Sequence, residues 1–170
     1  MNPPEFNPES IRLVVDIAAQ QLRRFQDEQL THQYSISTAK NGVGSRNGSE
    51  KTPLGEHYIR AKIGANAPSH AVFVGRRPTG EIYSEALAAQ YPNRDWILTR
   101  ILWLCGKEVG VNRGGEVDSM RRYIYLHGTP DSEPMGTALS HGCIRMRNAD
   151  IVELFELTPA YCSVTIVERC

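Results

Sequence analysis

Short runs of β-branched and aromatic residues, cut off by glycine, proline or asparagine, recur along the chain and constrain its fold more than any other feature. "IRLVVDIAAQQLRRFQ" opens as a strand and continues as polar residues alternating with Leu22 and Phe25, which predicts a first hairpin. In "LTHQYSIST" the even positions Leu30, Tyr34 and Ile36 share one face of a half-buried strand. "HYIRAKI", "AVFVG", "WILTRILWL", "RRYIYLH" and "SVTIVE" are further strand candidates. Helical signals are few. "SEALAAQY" is the one good helical stretch in the middle. Near the end, Asn148 is the expected N-cap of "ADIVELFELT", where Ile151, Leu154, Phe155 and Thr158 fall at i, i+3, i+4 and i+7 before Pro159 stops the helix. The architecture is therefore mainly β with one or two short helices.

The chain of 170 residues, 41% hydrophobic, suffices for one core and not for two comfortable domains. The expected layout is an N-terminal tail over 1–10 and a single domain over 11–170. Lysine plus arginine number 19 and aspartate plus glutamate also 19, so no net field gathers nucleic acid or an anionic membrane, and affinity must come from a local site. No run is long and apolar enough to span a bilayer. The opening "MNPPEFNPES" has three prolines and two acids with no basic residue or apolar run, so with Met1 as the start the expected location is the cytoplasm; a trimmed export signal would place the protein outside it. Cys105, Cys143, Cys162 and Cys170 are scattered without a CxxC pair, which argues against a disulfide framework. No cofactor is expected, and a monomer is the expected state.

The glycine-rich segment "NGVGSRNGSEKTPLG", Asn41 to Gly55, has the lysine and threonine of a phosphate loop in the wrong setting. A phosphate loop needs glycine directly before the lysine, where Glu50 stands, and a dinucleotide turn needs glycine where Asn47 stands. It reads instead as a surface loop closed by a proline turn over Thr52, Pro53, Leu54 and Gly55.

Chemistry concentrates in two places. In "SHGCIRM", Gly142 permits unusual dihedrals before Cys143, and the polar "RMRNAD" leads into the last helix. A helix start nearby and the charge of Arg145 favour thiolate, which predicts a Cys143 pKa lowered toward neutrality. In "YIYLHGTP", His127 ends a strand and is followed by Gly128, so the sheet can hold the ring rigidly. The twelve residues "GTPDSEPMGTAL" then loop back to "SHGC", which can bring Cys143 beside His127 as nucleophile and base. Blander roles exist for each: a buried small hydrophobe for the cysteine, a backbone-bonded sheet residue for His127, loop orientation for His141, and a surface pair of Arg145 with Asp150 or Glu153. A different class is a zinc protein with His127, His141 and Cys143 as three ligands, although the spacing of two between His141 and Cys143 is uncommon. Arg76, Arg77 and Arg145 are candidates for binding a carboxylate.

With "HGT" at 127–129, "SHGCIRM" at 140–146 and "STAKNGVGSRNGSEKTPLG" upstream, the sequence resembles the catalytic domain of L,D-transpeptidases, from about Ile11 to Glu168. The resemblance implies a β-sandwich-like fold of YkuD type. It makes Cys143 the nucleophile and His127 the proton acceptor and donor, with Gly142 and the Cys143 amide at the oxyanion hole. His141 and Arg145 would line the site, and Ser140 and Gly128 would shape it and hold the imidazole through backbone carbonyls. The implied partners are peptidoglycan stem peptides, attacked at the L,D bond before a terminal D-amino acid. Hydrolysis, as an L,D-carboxypeptidase trimming tetrapeptide muropeptides to tripeptides in wall recycling, is favoured over cross-linking by an exported transpeptidase.

Overall fold

The computed structural model describes residues 6–170, so the tail read at 1–10 lies partly outside the described residues; its last residues form a turn into the first strand. The expected hairpin is present: β1 (Ile11–Asp16) pairs antiparallel with β2 (Gln21–Gln26). The chain continues through β3 (Gln29–Ser37), β4 (Gly55–Ile63), β5 (Ala71–Val74), β6 (Arg77–Ile82), α1 (Glu85–Gln90), β7 (Ile97–Gly106), β8 (Tyr125–Gly128), β9 (Ile144–Met146), α2 (Asn148–Leu157) and β10 (Ser163–Val167). All ten strands join one sheet in the order β4-β10-β1-β2-β3-β9-β8-β7-β5-β6, and β4 also pairs with β7. Eight strands thus close on themselves, while the β5–β6 hairpin extends outward from β7. Closure removes most free edges, the usual hazard of a mainly β chain.

Strand alternation decides what is inside. Leu13, Val15, Leu22, Ile36, Ile59, Leu102, Leu104, Leu126, Val164 and Ile166 interlock in one core with Ile151 and Leu154 of α2. Leu30 departs from the expected pattern and is 52% exposed. The cause is a bulge: Arg24 faces His32 while Phe25 faces Leu30, so the extra residue Thr31 turns Leu30 outward. Arg24, only 1% exposed, donates from Nε and Nη2 to the Leu157 carbonyl at 3.1 and 2.7 Å. It thereby caps the C-terminal end of α2, where carbonyls lack helical partners and a cation is favoured.

Three local readings are corrected. Helix α2 is capped by Arg147, not Asn148, and without a side-chain bond; Asn148 is its buried first residue. "RRYIYLH" is a strand only from Tyr125, because 121–123 form a turn. Strands β6, "RPTGEI", and β9, "IRM", were not anticipated. Pro78 and Gly80 disguise β6, which tolerates them at the outer edge of the sheet.

His57 is fully buried on β4, with Nδ1 against the Gly55 carbonyl at 3.0 Å and Nε2 against Ser119 Oγ at 2.8 Å. The carbonyl can only accept, so Nδ1 carries the proton and Nε2 receives the hydroxyl. Burial pushes this imidazole from its ordinary 6.5 down to about 4. Between those values the unfolded chain binds the extra proton, so its contribution is complete above pH 6.5 and disappears as pH falls to 4. About 3 kcal/mol of stability should be lost over that window on this account. Urea unfolding at pH 7, 5.5 and 4 checks it, and His57→Gln should flatten the slope.

Candidate active site

β8 and β9 run parallel and side by side, with Leu126 opposite Ile144 and His127 opposite Arg145. Because a strand alternates its faces, Tyr125 and His127 project on one side of β8, and Cys143 and Arg145 project on the same side at the start of β9. The parallel pairing of β8 with β9 puts His127 and Cys143 on the wall of the same cavity. All four side chains line a cavity of about 460 Å³ together with Arg76, Asp95, Arg122, Ser140 and His141.

Cys143 is half-buried on this wall. Its thiol donates to the Tyr123 carbonyl at 3.2 Å and accepts the Tyr125 N–H at 3.4 Å. His127 is buried, and its Nδ1 lies 2.6 Å from the Gly128 carbonyl. That bond places the proton on Nδ1 and leaves Nε2 with its lone pair, the arrangement of a base. Gly128 therefore does hold the ring through its carbonyl. Ser140 acts on the loop instead: its hydroxyl accepts the Gly142 N–H at 3.2 Å and donates to the Cys143 carbonyl at 2.5 Å. The Gly142 amide is thus occupied. Among the described residues neither the His141 nor the Cys143 amide donates a hydrogen bond outside the strand ladders, so both are open donors of this loop, and the Cys143 amide is the one on the nucleophile's own residue. Gly142 has φ +132°, a backbone setting that a side chain resists.

The expected low thiol pKa is overturned. Burial pushes Cys143 up to about 12, outweighing the Tyr125 N–H and the charges of Arg145 and Arg122, and Asp95 pushes the same way as burial. Nor does the thiol sit at a helix start, since β9 intervenes before α2. Burial also depresses His127, against the pull of the Gly128 carbonyl and of Asp95. The resting pair is thiol plus neutral imidazole, with the sulfur proton aimed at Tyr123. Alkylation of Cys143 by iodoacetamide should therefore climb about tenfold per pH unit between pH 7 and 10, as expected for a thiol titrating above that range. A plateau near pH 7 would contradict the burial argument.

Arg145 is nearly buried and faces Asp95 at 3.7 Å and Glu133 at 3.5 Å, not Asp150 or Glu153. Asp150 is approached by Arg147 instead. Arg76 reaches the cavity from the β5–β6 turn, 4.6 Å over the Trp103 ring and 3.0 Å from Tyr125 Oη. Arg77 is exposed and does not line it. His141 is exposed at the rim. Among the described residues no three His, Cys, Asp or Glu side chains form a group that could hold a metal ion, so the zinc reading lacks its ligand set. Tyr125, Asp95 and Arg122 are cavity residues that were not anticipated. Tyr125 was accessible to sequence reasoning, because it stands two before His127 on the same strand face; Asp95 and Arg122 come from connections with no local signal.

The match to known proteins is of two kinds. The family model of the YkuD L,D-transpeptidase catalytic domain matches residues 10–166. A 46-residue stretch is 41% identical to the putative L,D-transpeptidase YkuD of Bacillus subtilis, covering 27% of this chain and 28% of that protein. A 48-residue stretch is 40% identical to the probable L,D-transpeptidase YbiS of Escherichia coli, covering 28% and 16%. Among solved structures, L,D-transpeptidase 3 from Mycobacterium tuberculosis superposes with TM-score 0.58 at 15% identity, over 94% of this chain and 61% of that one. The L,D-transpeptidase from Mycobacterium smegmatis gives 0.55 at 18% identity, over 93% and 58%. This chain thus spans about 60% of those two solved chains. At such identities the likeness establishes the mainly β fold, and the family match over 10–166 establishes more: the chain belongs to the L,D-transpeptidase catalytic domain family.

Proposed function

We propose that the protein is a cysteine-dependent acyl-transfer enzyme that cuts peptidoglycan stem peptides at the L,D bond before a terminal D-amino acid. The observation that carries this reading is the placement of the Cys143 thiol and the His127 ring, with Nε2 unprotonated, on one wall of one cavity. Nε2 takes the sulfur proton once the thiol leaves the Tyr123 carbonyl, and sulfur attacks the carbonyl carbon of the L-centre. A C–S bond forms and the carbonyl π pair moves to oxygen, where the Cys143 N–H stabilises it. Collapse breaks the C–N bond, and the departing amine takes the proton from the imidazolium. A thioester remains. Water then attacks with His127 as base, the C–O bond forms, the C–S bond breaks, and the proton returns to sulfur.

Three arginines, Arg76, Arg122 and Arg145, line the cavity with one carboxylate, Asp95, and Arg145 also faces Glu133 at its edge. That balance suits a ligand bearing free carboxylates, as a stem peptide ending in a D-amino acid does. Hydrolysis is proposed ahead of cross-linking because water, unlike a second stem peptide, needs no acceptor site of its own. On this reading the enzyme is an L,D-carboxypeptidase supplied with soluble muropeptides, and the cytoplasm is the proposed compartment. Incubation with disaccharide tetrapeptide and mass spectrometry tests it: D-alanine release with tripeptide product supports hydrolysis. Dominant dimer would favour the transpeptidase, and no change of the tetrapeptide would reject both.

A further inference from the structure

The glycine-rich loop fails as a phosphate cradle, yet one of its residues touches the nucleophile's own peptide. Thr52, fully buried, donates from Oγ1 to the Gly142 carbonyl at 2.9 Å. The same oxygen accepts the Ala39 N–H at 3.0 Å, so its single proton is committed to Gly142. The Thr52 backbone is fixed on both sides as well, by its N–H to the Gly42 carbonyl at 3.0 Å and by the Gly44 N–H to its carbonyl at 2.9 Å. Arg122 ties the adjoining segment down through the Lys51 carbonyl at 2.7 Å.

The Gly142 carbonyl and the Cys143 N–H belong to one peptide unit, and the described residues include no cis bond. In a planar trans peptide those two groups point in opposite directions. A hydrogen bond that holds the carbonyl on Thr52 therefore holds the N–H pointing away from Thr52, and the residue that carries this N–H lines the cavity. Gly142 needs this restraint, because a glycine at φ +132° has no side chain to keep its peptide from rotating. We infer that Thr52 is a positioning residue for the oxyanion hole, fixing through the Gly142 carbonyl the direction in which the Cys143 amide presents its hydrogen to a developing oxyanion. The inference rests on the acyl-transfer reading but not on which peptide is the substrate.

Two reagents separate this role from a general structural one. Acylation of Cys143 by p-nitrophenyl acetate forms a C–S bond, passes through an oxyanion and expels p-nitrophenolate with its electron pair. Alkylation by iodoacetamide displaces iodide and forms no oxyanion. Both rates are measured at pH 9 in a Cys170→Ser background, since Cys170 is an exposed free thiol that would react alongside Cys143. Thr52→Val, which keeps the shape and removes the hydroxyl, should slow acylation about 30-fold, somewhat less than deletion of a whole oxyanion donor. Its alkylation rate should stay within about twofold of wild type, and Thr52→Ser should restore acylation to within about threefold. Equal slowing of both reactions, unchanged acylation, or failure of Thr52→Ser to restore it would overturn the inference. Should Thr52→Val not fold, Thr52→Ala is read in the same way; unfolding of both would assign Thr52 to stability alone and equally overturn it. Tetrapeptide cleavage by the wild type is scored separately. Its absence alongside a selective loss of acylation would remove the proposed substrate and leave the Thr52 assignment standing.

Discussion

Cys143→Ala is expected to lower D-alanine release from a tetrapeptide by about 10⁴-fold or more, as deletion of a nucleophile does in enzymes of this kind. His127→Gln should cost nearly as much at pH 7, and the double variant little more than either alone, because nucleophile and base act as one unit. The reason lies in the burial of the sulfur. With burial holding the thiol well above its ordinary value, very little of it is ionised at pH 7 without a base. That dependence separates the two variants. Hydroxide can make thiolate where His127 is missing, so His127→Gln should recover activity steadily as pH rises from 7 to 10, whereas Cys143→Ala should stay inert throughout. Steady-state release of D-alanine across that range decides it. Retention of more than about 1% of wild-type turnover by Cys143→Ala would remove the nucleophile from the proposal.

What the sequence disclosed and what it concealed follow a physical division. Runs such as "IRLVVD" and "SVTIVE" announce strands because alternation is a local property, and β1 and β10 appear where they were expected. The three residues of β9 carry no such signal; they become a strand only because β3 and β8 flank them. Leu30 was assigned to the wrong face because a bulge at Thr31 is set by the partner strand. The site divides in the same way. His127, Gly128, Ser140, Gly142, Cys143 and Arg145 are consecutive or nearly so within two short motifs, and all but the glycines line the cavity. The ionisation of Cys143 was misread because charge neighbours are visible along the chain, whereas desolvation depends on everything packed around the sulfur. Thr52 belongs to the same class: it was read as the start of a surface proline turn, whereas it is buried and bridged to Val43 with no turn over 52–55, and its bond to Gly142, ninety positions away, has no local signal.

Gly128→Ala should be the most damaging single methyl added to the site. A Cβ there would lie against Asn148 Oδ1 and 2.6 Å from the Leu98 carbonyl oxygen, closer than real Cβ atoms come, and Thr99 Cβ follows at 3.1 Å. None of these can retreat cheaply. Leu98 is paired with Gly128 across β7 and β8, and a register shift between Leu98 and Ile101 crowds Thr99, at φ +75°, into the same space. Asn148 is held by Thr99 Oγ1 at 2.5 Å, by the Thr129 carbonyl at 2.8 Å and by Asp131 Oδ1 at 3.1 Å. The methyl must therefore push β8 from β7, which costs about 3 kcal/mol, the upper part of the range for overpacking. For a chain of this length that is a fall in Tm of about 10 °C. Because the Gly128 carbonyl also fixes the His127 ring, turnover should fall at temperatures where the variant is still folded. Gly136→Ala supplies the contrast: its Cβ would meet nothing within 4 Å, and only its φ of +86° opposes the change. That left-handed setting should cost about 1 kcal/mol and leave turnover intact. If the two alanine variants melt alike, close packing around Gly128 is not what holds the imidazole in place.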